Sequence, residues 1–583
     1  MKGKVKREFS SFSYLKRYKF KAFLAPFFKG LETLTELFVP YIMANIIDIG
    51  IKNNDSRYII INGLFILGLN ILGILFAIFG QKCAAIVSRN IGRDVRNDIF
   101  KHINELSHAE LDKFTTTTLL NRSVNDVRNI QAGIGSILRA IMRAPVLIIG
   151  SLVMSLFINL KLSLIFIIII PILVLTVWFI MKKLKPLLVK IKTKLDKTTN
   201  VTRENLTGVR VVRAFNKQNY ETEKFKNANY DLISTQIKHG AWNSLLSPLI
   251  SVIVNFAIIA LFYFGGIEVN IGGLSQGKLI AFIDYFAIIS SCIVIVANLI
   301  TIVTRLNASS DRVNELMTLK NSIKNPANPA KIDFEDNNFG KVEFKDVNFS
   351  YSNVKNAVTN LSFVAEPGEI IGIIGGTGSG KSSIINLIPR FYDTTSGEVL
   401  INNTNVKKYD LEELRNLIGL VPQNPTLFKG TIRSNMCWRK PDATDEEIIK
   451  ALKIAQAYDF VKDYPDFLEH RVNRGGTNFS GGQRQRLTIA RALVGKPHII
   501  ILDDASSALD FATDAKLRKA IRTHLTESTT FIVTQRTNSI RDANKIIVIN
   551  SGNIIDIGTH SELLERCQIY QEIHYSQNKK ETK

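Results

Sequence analysis

Cysteine, tryptophan and acidic charge are scarce in this chain of 583 residues, which has four Cys, three Trp, and 51 Asp and Glu against 74 Lys and Arg. Cys83, Cys292, Cys437 and Cys567 stand far apart, with no CxxC pair and no nearby histidine pair of zinc spacing. That excludes a disulfide framework or a cysteine–zinc site and leaves reduced structural thiols. No cleavable signal peptide is expected, because the first 22 residues are strongly basic and lack a short apolar core ending in a small-residue cleavage site. The shortage of acid leaves a formal net charge of +23. Such an excess suggests nucleic acid or a membrane surface as a partner. The 46% hydrophobic content excludes a disordered chain, and at about 150 residues per domain the length would hold several ordinary soluble domains.

Charge is also missing from long stretches. Ile59–Gly80, Leu162–Met181, Gly240–Ile267 and Tyr285–Thr304 contain no Asp, Glu, Lys or Arg, and each reaches the roughly 20 residues that cross a bilayer. Ala144–Leu160 is shorter and extends back across Arg143 and Pro145, while Ala22–Ile47 is interrupted by Lys29, Glu32 and Glu36. Soluble cores rarely use so many nearly uncharged runs of this length. Six membrane spans are therefore expected before residue 306. Asp48–Tyr58, Asn159–Lys161 and Glu268–Lys278 connect them briefly, whereas residues 82–138 and 182–239 form long polar connections. Folded as two antiparallel helices of about 25 residues, each long connection would reach about 40 Å beyond the bilayer.

Lys and Arg crowd the N-terminus (Lys2, Lys4, Lys6, Arg7, Lys16, Arg17, Lys19, Lys21) and the stretch after the fourth span (Lys182, Lys183, Lys185, Lys190, Lys192, Lys194, Lys197). The positive-inside rule makes these regions cytoplasmic, and an even number of spans returns the second half to the same side. Both termini are thus expected in the cytoplasm, with basic clusters meeting anionic lipid. Asp284, near the outer end of the sixth span, could meet a cationic substrate or be an interfacial or helix-paired carboxylate. Glu32 and Glu36, one helical turn apart with Lys29 beneath, are expected to pair locally.

The second half carries phosphate chemistry. A Pro/Asn-rich linker at 319–340 divides residues 1–318 from 341–583. KVEFKDVNFSYS then alternates like a half-buried strand. In EIIGIIGGTGSGKSSIINLI, an apolar strand, Ile370–Ile374, meets a loop of Gly375, Gly376, Thr377, Gly378, Ser379 and Gly380, and a helix starts near Lys381. This is the GxxxxGK[ST] pattern in its strand–turn–helix setting. Backbone N–H groups and the helix N-terminus would wrap phosphate oxygens, Lys381 would add a full charge, and Ser382 would ligate Mg²⁺. In HIIILDDASSALD a buried strand delivers Asp503 to the edge where ligands of open α/β sheets gather, to hold the Mg²⁺ water shell. Ser480, Gly481 and Gly482 open another helix suited to an anion. One nucleotide cannot easily sit on two such helix starts in one domain, so a second copy is expected to supply the other face.

These motifs resemble the ATP-binding cassette (ABC) transporters, specifically exporter half-transporters with a fused N-terminal membrane domain. The phosphate loop is GGTGSGKS, the signature FSGGQ stands where LSGGQ is usual, and SALD (Ser507–Asp510) matches the D-loop. The expected fold is an α-helical six-span transmembrane domain followed by an α/β P-loop nucleotide-binding domain. The resemblance implies ATP and Mg²⁺, held by the loop with Lys381, Ser382 and Ser383. It also implies that Tyr351 stacks on adenine, that Gln423 senses Mg²⁺ and contacts the membrane domain, and that Ser480, Gly481, Gly482 and Gln483 grip the partner's γ-phosphate. LLNRSVNDV (Leu119–Val127) and ENLTGVRVVRAFNKQ (Glu204–Gln218) fall in the two long connections, where the family places its coupling helices.

The chain departs from the family at Asp504, where the general base is normally glutamate, and at Gln535 in TQR, where a switch histidine is usual. Arg474 also stands where an acidic residue is usual, which affects the expected contact to the coupling helices. The first two changes imply the degenerate subunit of a heterodimer, with a slow or inactive site of its own and an intact signature serving the partner's site. A homodimeric lipid or peptide exporter and a non-transport ATP-binding regulator of a membrane complex remain the alternatives. Six spans weigh against nucleic acid as a partner. The resemblance implies an amphipathic substrate such as a drug, lipid or peptide, and the Ile/Asn/Lys-rich usage points to an AT-rich bacterial genome and the cell membrane.

Overall fold

Apolar runs that need no water fold here as helices far longer than the runs themselves. The computed structural model describes residues 12–332, 339–351 and 356–577. Lys2, Lys4, Lys6, Arg7 and the 333–338 part of the expected linker lie outside them. Two units form, Met1–Asn104 with Thr115–Leu319, and Glu105–Phe114 with Lys320–Lys583.

In the first unit, among the described residues, six helices are long and apolar enough to cross a membrane: Ser13–Ile51, Ser56–Glu105, Thr116–Ile158, Leu160–Thr207, Gln218–Asn270 and Gln276–Met317. Five of the six apolar runs lie within one of them, and Ala144–Leu160 overruns the end of its helix at Ile158, with Leu160 opening the next. Exposed side chains such as Ile60, Leu64 and Phe256 suit hydrocarbon, where helices also satisfy every backbone group internally. The long connections form by continuation of these helices. In the second, a short helix, Val209–Ala214, lies between the descending and returning arms. The arms are joined by Lys194 Nζ donating to the Asp231 carbonyl at 3.0 Å and Thr198 Oγ1 to that of Ala228 at 3.3 Å.

The local ion pair expected in the first span is one edge of a larger network. Lys29 Nζ is 2.6 Å from Glu32 Oε2, but Arg143 of the third helix also reaches Glu32 Oε1 at 3.2 Å and Glu36 Oε1 at 2.9 Å. Two acids and two bases cancel, which is what an apolar surrounding demands of buried charge. Asp284 is exposed on the sixth helix.

The NRSVND stretch forms a π-helical turn, Arg122–Asp126, at the base of the third long helix. Arg122 pairs with Glu315 at 2.8 Å, buried Asp126 with Arg312 at 2.9 Å, and Asn129 donates to Ser309 Oγ at 3.1 Å. All three partners lie on the sixth helix, so this motif ties two stalk helices together. Glu105–Phe114, just upstream, packs within the second unit instead. There His108 stacks on Phe391 at 4.4 Å, Ser107 Oγ meets Ser322 Oγ at 2.9 Å and Tyr392 donates to Asp112 at 2.6 Å.

The second unit is built on β1 (Val342–Phe349), β2 (Val358–Ala365), β3 (Ile370–Gly375), β4 (Ser396–Ile401), β5 (Thr404–Asn405), β6 (Ile418–Val421), β7 (Gly430–Thr431), β8 (Arg471–Val472), β9 (Ile499–Asp503), β10 (Thr529–Thr534), β11 (Lys545–Asn550) and β12 (Asn553–Gly558). A sheet ordered β12-β11-β3-β10-β9-β6 carries the site, and β2-β1-β4-β5 forms a second sheet. In the first, β11, β3, β10, β9 and β6 run parallel and β12 is antiparallel. Near-continuous Ile, Val and Leu in β3 and β9 reflects strands covered on both faces. Their parallel register brings Gly375, Asp503 and Thr534 to one edge.

Candidate functional site

At that edge the chain turns from β3 into the helix Lys381–Leu387. A Cβ at Gly375 would run into the Ile549 carbonyl, and Gly380, at φ +103°, would place one 2.5 Å from the Ala357 carbonyl. Only glycine fits either position. Gly376, Thr377 and Gly378 are exposed, and a Cβ at Gly376 or Gly378 would meet nothing within 4 Å, so this backbone is open to a ligand. Buried Lys381 donates from Nζ to the carbonyls of Gly375 at 3.0 Å and Gly376 at 2.7 Å, with Ser379 Oγ at 3.4 Å. The loop thus holds its ammonium beside exposed backbone, which fits polyphosphate. Ser382 Oγ donates to Asp503 Oδ1 at 3.3 Å, a hydroxyl–carboxylate pair of the hard oxygen type that Mg²⁺ takes.

The helix also orients the aromatic edge of the site. Tyr351 Oη and Ser383 Oγ share a hydrogen bond at 3.1 Å. Tyr351 is 53% exposed, with Phe349 and Tyr392 edge-on to its ring at 4.7 and 5.1 Å. Its ring is therefore positioned yet accessible for stacking.

After Asp503, Asp504 adopts φ +49° and donates its N–H to the Val533 carbonyl at 2.9 Å. Burial raises both carboxyl pKa values. Ser382 and Lys381 oppose the rise at Asp503 while Asp504 adds to it, and at Asp504 Arg536, Lys381 and Gln423 oppose it. Burial lowers the Lys381 pKa against the pull of Asp503 and Asp504.

Gln535 follows β10 and is exposed, with its carbonyl accepting from Gln577 Nε2 at 2.6 Å. Ser480 caps the helix Gly481–Leu493, its Oγ accepting from the Gln483 N–H while Gln483 Oε1 accepts from the Ser480 N–H. Ser480 and Gly481 are exposed, and Gly482 passes close to the Ala508 carbonyl of the D-loop. Among the described residues no hydrogen bond joins Ser480, Gly481, Gly482 or Gln483 to the phosphate-loop cluster, whereas Tyr351, Lys381, Ser382, Asp503, Asp504 and Gln423 are brought together. Arg474 is exposed in a turn after β8. Sequence reasoning missed Arg536, although it adjoins Gln535 in TQR. It also missed Tyr392 and Gln577, for which no local pattern exists.

Residues 22–293 match the family model described as the ABC transporter transmembrane region, and residues 358–507 match the ABC transporter model. An ABC transporter ATP-binding protein of Mycobacterium tuberculosis is 36% identical over 552 residues, covering 94% of each chain. The ATP-dependent lipid A-core flippase of Desulfotalea psychrophila is 30% identical over 571 residues, 96% of this chain and 97% of its own. Among solved structures, a bacterial Atm1-family ABC exporter with ATP bound shares the fold at a TM-score of 0.81 and 23% identity, over 97% of this chain and 99% of that one. The chain therefore belongs to the ABC transporter family, as a multi-pass membrane exporter whose ABC-type ATPase is coupled to transport.

Proposed function

We propose that this chain is one half of a heterodimeric exporter of hydrophobic or amphipathic molecules, and that its own phosphate site is the slow one. The observation that carries the reading is an intact phosphate grip beside a changed hydrolytic pair. Gly375–Gly380, Lys381, Ser382 and Ser383 hold the ATP phosphates, and Tyr351 takes the adenine. Ser382, Asp503 and Gln423 hold Mg²⁺, which supplies positive charge to the phosphates. Asp504 stands at the base position one methylene short. A base must come within about 3 Å of the proton it takes, and a displacement of about 1 Å can cost 100-fold in rate. Gln423, Arg536 and Lys381 all favour the ionised form of this carboxylate, and Gln535 cannot carry a histidine's charge. Ser480, Gly481, Gly482 and Gln483 remain open to complete the partner's site.

ATP closes the two cassettes, the long helices transmit closure, and hydrolysis at the partner's site resets the cycle, with both termini in the cytoplasm of a bacterial cell. The lipid A-core that gives the Desulfotalea psychrophila flippase its name is amphipathic, in keeping with such a substrate. In the assembled dimer, replacing the partner's base glutamate should nearly abolish turnover while Asp504→Asn changes it less than about twofold, a barrier change under about 0.4 kcal/mol. Equal losses would defeat the asymmetric reading. Robust substrate-stimulated ATPase from this chain purified alone would reject an obligate heterodimer.

A further inference from the structure

The switch loop after β10 is gripped by its backbone from the C-terminal helix Gln568–Gln577. Gln577 Nε2 donates to the Gln535 carbonyl at 2.6 Å, and Gln577 Oε1 accepts from the Thr537 N–H at 3.0 Å and the Thr537 hydroxyl at 3.3 Å. One side-chain amide thus spans both sides of Arg536. Reversing that amide would set donor against donor and acceptor against acceptor, so its orientation is fixed by the network. One turn earlier, buried His574 shares a hydrogen bond with Thr537 Oγ1 at 3.1 Å. The far side of the loop is held separately, by Arg518 Nη1 donating to the Asn538 carbonyl at 2.7 Å and Ser539 Oγ to buried Asp514 at 3.3 Å.

We infer that Gln577 is a positioning residue for ATP hydrolysis: the C-terminal helix clamps the backbone of residues 535–537 and so sets where the switch side chain and Arg536 stand relative to the phosphates. The clamp binds the main-chain carbonyl of the switch position itself and the N–H two residues on, so it operates whether that position carries glutamine or histidine. The Gln535 side chain stays exposed, while Arg536, whose guanidinium lies 5.5 Å over the Phe511 ring and whose charge favours the ionised Asp504, is the residue straddled. Losing the clamp leaves the Gln535 carbonyl and the Thr537 N–H to water and lets the loop drift. The phosphate loop and Tyr351, which bind the nucleotide, are untouched.

The test uses the full-length chain in lipid nanodiscs, read by amide hydrogen exchange and by steady-state ATPase. In Gln577→Ala, exchange at Thr537 should accelerate about fivefold, the effect expected of one lost hydrogen bond. The residual kcat should fall about tenfold, a small displacement being enough for that, while KM for ATP stays within about twofold. Gln577→Glu keeps the acceptor for Thr537 but has no donor for the Gln535 carbonyl at neutral pH. It should retain protection at Thr537 and show an intermediate kcat. Should the alanine variant undock the whole helix, exposing residues 568–577 to exchange, the glutamate variant, which preserves side-chain length, decides. Unchanged Thr537 exchange in Gln577→Ala, exchange rising equally along β10, or KM rising at constant kcat would each overturn the clamp. The exchange measurement reads the loop whether or not the site turns over, so failure of the clamp and failure of the slow-site reading are distinguishable.

Discussion

One methylene separates Asp504 from the glutamate usual in its family, and burial governs how its charge behaves. Because burial raises the Asp504 pKa, the folded domain binds that proton more tightly than the unfolded chain. The associated stability is full below the unfolded value of about 3.9 and is lost as pH rises through the higher folded pKa. Asp504→Asn, which cannot ionise, should therefore raise the thermal midpoint of the nucleotide-free protein at pH 7 to 8, with the gain vanishing towards pH 3. A gain that is flat across that range would show that Asp504 carries no burial penalty. Lys381 makes the opposite point. Its ammonium donates to two loop carbonyls and offers its charge to phosphate, and charge-assisted bonds are worth about 1.5–3 kcal/mol. Lys381→Ala should weaken ATP binding about 10- to 100-fold in a fluorescent-nucleotide titration.

Helices and loops act here through their ends and their crossings. Ser480 closes a capping box at the start of the signature helix. Ser480→Ala should cost about 1 kcal/mol in denaturant unfolding of this chain and should also slow turnover at the partner's site. A loss of turnover without a loss of stability would separate phosphate contact from capping. In the membrane unit, Arg143 holds Glu32 and Glu36 across two helices. Removing one member of a buried ion pair costs about 3–5 kcal/mol, and Arg143 is a third exposed, so Arg143→Leu should fall at the lower end in detergent unfolding. Arg143→Leu with Glu36→Leu should recover part of that loss. No recovery would mean that the cost is packing rather than stranded charge. The Lys29–Glu32 edge of this network was readable from three-residue spacing in the sequence. The Arg143 edge was not, because nothing near residue 143 announces a partner more than a hundred positions away.

At the scale of the molecule the six long helices and the cassette sheet carry different kinds of information. The helices set topology, which the basic clusters predict and labelling can check. With Cys83, Cys292, Cys437 and Cys567 replaced by alanine, a membrane-impermeant maleimide should label Asn270→Cys from outside intact cells and Lys217→Cys only after permeabilisation. The reverse pattern would invert the proposed orientation. Both positions are exposed in the chain.

Features written in consecutive residues were legible before folding. A span is a length of uncharged chain, and a phosphate site is a glycine loop between an apolar strand and a helix, so six membrane helices and a nucleotide domain could be read directly. The folded chain settled the pairings between distant segments. It tied NRSVND to Arg312 and Glu315, packed Glu105–Phe114 within the second unit, laid Arg536 over the Phe511 ring, and laid Gln577 across the switch loop. Such contacts follow from how helices and strands pack in three dimensions. A periodic pattern along one element carries no record of which residue on another will meet it.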